Sequence, residues 1–154
     1  MSIPPLPTLT TGLPEIDQEH AFLLDLLTQL DTVCALTPNP DAACADCTQA
    51  QRLSCELVLV SILSKALCFT VDHFTFEEKT MRWLPQSPER SAHCGAHIDD
   101  HEKISRELRD IALSIESSDI IRSGVELQEV IRRWLDEHVL NFDIPLVELL
   151  QSKN

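Results

Sequence analysis

The chain has 154 residues, room for one domain, and 44% of them are hydrophobic, enough for a core of its own. Its formal net charge of −13 opposes phosphate backbones and anionic membrane surfaces, so neither nucleic acid nor membrane is an expected partner. With 5% aromatic residues and no Tyr, the core is expected to be filled by aliphatic side chains.

No apolar run approaches the roughly 20 residues that span a bilayer. The opening stretch, MSIPPLPTLTTG, lacks the charged and apolar regions of a secretory leader. A cytoplasmic protein is expected, and its six Cys then read as thiols or metal ligands rather than structural disulfides.

Residues 1–13 are rich in Pro and Thr and read as an extended arm. Pro14 suits a first helical turn, and Glu15 and Asp17 suit the positive end of the helix dipole. Ile16, Leu23, Leu24, Leu27 and Leu30 recur at helical spacing, predicting a helix over 14–36. Residues 37–52, TPNPDAACADCTQAQR, read as a Cys-bearing loop. A second helix is predicted over 53–83, ending before Pro85. A third covers 91–116, with Ile104, Leu108, Ile111 and Ile115 on one stripe. Ser117 and Ser118 break the pattern, and a fourth helix covers 119–142, with Val125, Leu127, Val130, Ile131, Trp134 and Leu135 apolar. Short connections between four amphipathic helices predict an all-α, antiparallel up-down four-helix bundle occupying residues 1–154 as one domain.

The histidines are in phase with the apolar stripes. His73 and Glu77 are four apart on the second helix, and His97 and His101 are four apart on the third, so each pair shares a face. His20 lies one turn before Leu24, and His138 one turn after Trp134. A lone core histidine is more often structural than a ligand. Burying five imidazoles with several carboxylates, however, is costly unless something partners them. One zinc takes about four ligands. Seven inward candidates fit two ions, and imidazole with carboxylate suits iron, zinc, manganese or copper. No histidine has Glu three residues before it, which argues against the ferritin-like di-iron pattern.

Four segments carry a resemblance: TGLPEIDQEHAFLLDLL, HFTFEEKTM, HIDDHEKI and WLDEHVLNFD. Taken in order over all four helices, they are similar to the ligand motifs of the bacterial hemerythrins. The resemblance implies metal ligands at His20, His73, Glu77, His97, His101, His138 and Asp143. It implies two non-haem iron ions, one on His97, His101 and His138 and the other on His20 and His73. Glu77, Asp143 and an oxo or hydroxo group would bridge them. It also implies O2 as the ligand of an open position, in a dry pocket expected to include Leu24. An O2 or redox sensor, or an O2 store or carrier, is therefore expected rather than an enzyme. A di-iron enzyme acting on peroxide or NO is the alternative.

Three features depart from that pattern. His93, His97 and His101 compete for two places; His97 and His101 fit because Ile104 follows, whereas the other choice puts Asp100 there. Pro145 is the second: it cannot donate to the carbonyl four residues before it, which suits the widening or bend that His138 and Asp143, five apart and about 140° around an ideal α-helix, need to face one site. The insertion brings Cys44 and Cys47, with Cys34 and Cys55 nearby, which read as plain thiols, a zinc site or a redox-sensitive pair. Cys68 reads as core. The insert and the triple-His helix resemble hemerythrin domains attached to signalling modules such as diguanylate cyclases, so a C-terminal output domain is an expected partner.

Overall fold

The computed structural model describes residues 10–35, 47–115 and 120–152. Most of the proposed arm, residues 36–46 of the Cys-bearing insertion and the break at 116–119 lie outside the described residues, as do Cys44 and the side chain of Cys34.

Helix α1 spans Pro14–Ala35, and Asp17 in its first turn accepts hydrogen bonds from the Thr11 N–H (2.6 Å) and hydroxyl (2.8 Å). Helix α2 spans Gln49–Arg82 and starts earlier than its apolar pattern suggests. The cause is a capping box in which the Thr48 and Gln51 side chains and backbones bond reciprocally. Helix α3, Pro88–Ser114, also starts early, because Ser87 caps it and Pro88 suits its first turn. The fourth helix is composite: α4 spans Ile120–Arg133, a π-helical segment spans Trp134–Asp143, and α5 spans Ile144–Gln151.

The four rods pack as a bundle, α1 against α2 and α4, and α3 against α2 and α4. Leu23, Leu26, Leu27 and Leu30 of α1 meet Leu59, Ile62 and Leu63 of α2, Ile104 and Leu108 of α3, and Leu127 and Ile131 of α4. A smaller cluster, Met81, Leu84 and Leu146, lies where α5 meets the α2–α3 turn. Leu24 and Val125 are 39% and 40% exposed, against the expectation that they join the core. Leu24 sits about 100° round the helix from Leu23 and so leaves the stripe. Cys68 is also exposed rather than core, while Cys47 and Cys55 are half-buried.

Helix α2 corrects the expectation about apolar length. An 18-residue window in it reaches a mean hydropathy of 1.7, so by length and composition it could cross a membrane, as many core helices could. Only 28% of that window is buried, and Leu53, Leu57, Val60 and Val71 are exposed.

Leu27→Ala should cost about 2–5 kcal/mol of stability through the cavity it leaves. Leu24→Ala should cost under about 0.5 kcal/mol. Urea denaturation of both variants checks this, and equal losses would contradict the assigned stripe.

Candidate metal centre

The bundle brings all seven predicted residues to one place. His20, His73, Glu77, His97, His101, His138 and Asp143 are each no more than 4% exposed. His20 comes from α1, His73 and Glu77 from α2, His97 and His101 from α3, and His138 and Asp143 from the π-helical segment. That segment resolves the five-residue spacing. Its i→i+5 hydrogen bonding, seen where Ile144 N–H donates to Val139, returns residues five apart towards the same face. Pro145 has no N–H for the carbonyl four residues before it, which suits the change of pitch.

Asp143 divides the histidines. Its Oδ1 lies 3.0 Å from His138 Nε2 and 3.3 Å from His97 Nε2; its Oδ2 lies 3.1 Å from His20 Nε2 and 3.7 Å from His73 Nε2. Glu77 Oε2 lies 3.1 Å from His101, 3.3 Å from His97 and 3.5 Å from His73. Two groupings result whose donor atoms lie within 4.8 Å of one another: Glu77, His97, His101 and His138, and His73, Glu77 and Asp143. Glu77 belongs to both. His73 Nε2, Glu77 Oε1 and Asp143 Oδ1 are buried without a well-formed hydrogen bond. Buried polar atoms are seldom left so, and a cation between them would satisfy all three, so the donor set fits metal.

His93 stands outside. It is half-buried, edge-on to His97 with ring centroids 5.6 Å apart, and tilted against Phe142 at 6.0 Å.

A second layer, of which sequence reasoning missed Glu19 and Asp100, orients the rings. His73 Nδ1 donates to Glu19 (2.6 Å), His101 Nδ1 to Glu78 (3.1 Å) and His138 Nδ1 to Asp100 (2.7 Å). Each bond fixes the proton on Nδ1 and leaves Nε2 facing the interior. The three carboxylates follow one rule. Each is adjacent in sequence to a cluster residue of its own helix (His20, Glu77 or His101), yet serves a histidine of the next. A step of one residue turns the side chain about 100°, from the core towards the neighbouring helix. The signal was therefore in the sequence, as acids flanking in-phase ligands.

Aromatic rings, not the expected aliphatic lining, enclose the cluster. Phe69 stacks on His73, Phe74 on His101 at 3.7 Å, Phe142 on His97, and Trp134 packs against His73 and Phe74. Phe22 abuts Phe69. Of the five Phe and two Trp in the chain, only Phe76 and Trp83 lie elsewhere, both exposed.

Burial alone would lower the His73 pKa, but the Asp143 carboxylate near Nε2 and the Glu19 carboxylate bonded to Nδ1 raise it to about 10. Burial likewise opposes the charged form of His138, and Asp100 and Asp143 raise it to about 9. Burial would push Asp143 up, yet the histidines bonded to it hold it well below the usual carboxylate range. Glu77 is lowered too, by His101 and His97 against burial and Asp143. Protons thus take the place of metal charge in the metal-free protein.

A pH window follows. A raised histidine pKa gives stability that is whole below the ordinary value of 6.5 and lost as pH rises through about 9 to 10. The depressed carboxylates give stability that is whole above their ordinary values, 3.8 and 4.5, and lost on acidification. Metal-free protein should melt highest between about pH 5 and 6.5 and lose stability on both sides. Thermal melts across pH check this; a flat alkaline limb would contradict it.

Comparison with known proteins agrees with this geometry. A family model described as Hemerythrin HHE cation binding domain matches residues 11–143, a span that ends on Asp143. A Bacteriohemerythrin of Pseudomonas aeruginosa (strain LESB58) is 22% identical over 143 residues, which is 93% of this chain and 78% of the relative. A Bacteriohemerythrin of Stenotrophomonas maltophilia (strain R551-3) is 25% identical over 137 residues, 88% of this chain and 72% of the relative. No solved structure matches the chain. With a family match over most of its length and a buried cluster that could hold cations, the chain belongs to the hemerythrin HHE cation binding domain family.

Proposed function

We propose that this protein holds two non-haem iron ions and binds O2 at them, as a sensor or store rather than an enzyme. The observation that carries the reading is the division made by Asp143, with His97 and His138 at one oxygen and His20 and His73 at the other. His97, His101 and His138 would hold one ion and His20 and His73 the second, with Glu77, Asp143 and an oxo or hydroxo group as bridges. A pair of ferrous ions, when bound, would supply the two electrons that O2 takes up, and His20 and His73 would leave their ion fewer protein ligands than the three histidines leave the other.

The protein's own part is to position and to exclude. Glu19 holds the His73 ring and Asp100 the His138 ring, which keeps both Nε2 atoms inward. Phe22, Phe69 and Trp134 cover the His73 side with rings that carry no acid or base, so water and protons are kept from bound O2. The nearby acids Glu19, Glu78 and Asp100 are each bonded to a ligand histidine, which supports binding over catalysis. In sensing, charge changes at ligands on all four helices would shift one helix against another and reach a signalling output domain through a terminus.

Metal analysis should find two irons per chain, and adding O2 to the reduced protein should produce a new absorption band. Two irons with no spectral change would remove the O2 reading, and sustained turnover of peroxide or NO would make the protein an enzyme. His101→Ala should lose iron while His93→Ala keeps it; the reverse result would reassign the third-helix ligands. Glu19→Gln should weaken metal binding about 10- to 100-fold, measured by competition with a chelator. Unchanged affinity would deny Glu19 a positioning role.

A further inference from the structure

His73, His101 and His138 share a device that His97 lacks. Each gives its Nδ1 proton to a carboxylate, Glu19, Glu78 or Asp100. His97 is fully buried, with Nε2 at 3.3 Å from both Glu77 and Asp143. Its Nδ1 is buried as well, with no hydrogen-bond partner among the described residues. Leaving such an atom unmet is costly. A ligand histidine without an outer partner also has nothing to fix its tautomer or the turn of its ring.

The outer acids stand beside cluster residues on neighbouring helices. Beside Asp143 that residue is Phe142, and it stacks on His97 with centroids 5.1 Å apart and planes 25° apart. A phenyl ring offers no lone pair to the proton. Two other rings that touch His97 are committed at both nitrogens: His101 to Glu78 and Glu77, and His138 to Asp100 and Asp143. His93 remains. It lies one turn before His97 on the same face of α3, with ring centroids 5.6 Å and planes 68° apart. The residue is half-buried, but its Nε2 is buried and also without a partner. Two buried nitrogens on rings in contact, one able to donate and one to accept, suit a single bridging water.

We propose that His93 is a positioning residue for His97. The His97 Nδ1–H donates through one water to His93 Nε2, which fixes that proton and keeps His97 Nε2 aimed at the metal position. The third histidine of α3 is then neither a ligand nor a spare. The inference rests on the reading that His97 holds metal. It also gives a reason for an imidazole at this place. A neutral acceptor holds the ring without adding negative charge to a centre that already buries Glu77 and Asp143.

Cobalt(II) binding to the full chain, measured by competition with a chelator and by the cobalt absorption spectrum, tests this. His93→Leu keeps the bulk of the side chain and removes the acceptor. It should still take up two ions at saturation, but one of them about 10- to 100-fold more weakly and with an altered spectrum. His93→Gln carries an amide oxygen that can replace Nε2 as acceptor, and it should match the unaltered chain in affinity and spectrum. Unaltered affinity in His93→Leu would overturn the role, and so would an equal loss in His93→Gln, which would mark a packing group. Loss of one whole ion in both variants would overturn it too, by making His93 a ligand. Failure of the unaltered chain to bind two cobalt ions would overturn the metal reading itself and this role with it.

Discussion

Two carboxylates, Glu77 and Asp143, sit at the middle of the bundle with no exposed surface, and the surrounding structure answers the electrostatic problem they pose. An isolated buried carboxylate costs several kcal/mol even after relaxation. Five imidazoles surround this pair, and in the absence of metal some of them carry protons well above the usual histidine range. Those protonated rings need anions in turn, which the outer carboxylates Glu19 and Asp100 supply from partly exposed positions. Charge thus alternates outward from the centre to the surface. A pair of cations replacing the protons would leave that alternation intact.

The same constraint shapes the backbone. A regular α-helix would put His138 and Asp143 on different faces, and Asp143 could not then lie between the two histidine sets. The π-helical segment removes that conflict at the cost of poorer hydrogen-bond geometry. The stretch is heavily packed: Trp134, Leu135, His138, Val139 and Asp143 are all buried. Helix α5 then continues the rod, and Leu146 joins Met81 and Leu84 to close that end of the core.

Aromatic residues follow the metal cluster rather than the core at large. A flat ring can lie against a flat imidazole, as Phe74 does on His101, and so fills space beside a ligand without competing for its nitrogen. Aliphatic side chains fill the remainder of the bundle. Composition reports how many aromatic residues there are but not where they gather.

Much of this protein was legible in its sequence. The apolar stripes identified four helices. The i, i+4 pairs His73–Glu77 and His97–His101 identified inward faces, and the five-residue gap from His138 to Asp143 called for a widened helix. These are local properties, fixed by residue spacing and helical pitch. Helix starts moved because Thr48–Gln51 and Ser87 cap outside the apolar pattern. The tertiary structure decided the rest. It set His93 half-buried beside His97 rather than among the clustered carboxylates and exposed Leu24, because a helix admits only what its packing angle turns inward. It paired Glu19, Glu78 and Asp100 with histidines 54, 23 and 38 residues away. Such pairings depend on which helices become neighbours: one helix's spacing can mark an acid beside an inward residue, but not the ring that it meets on the next helix.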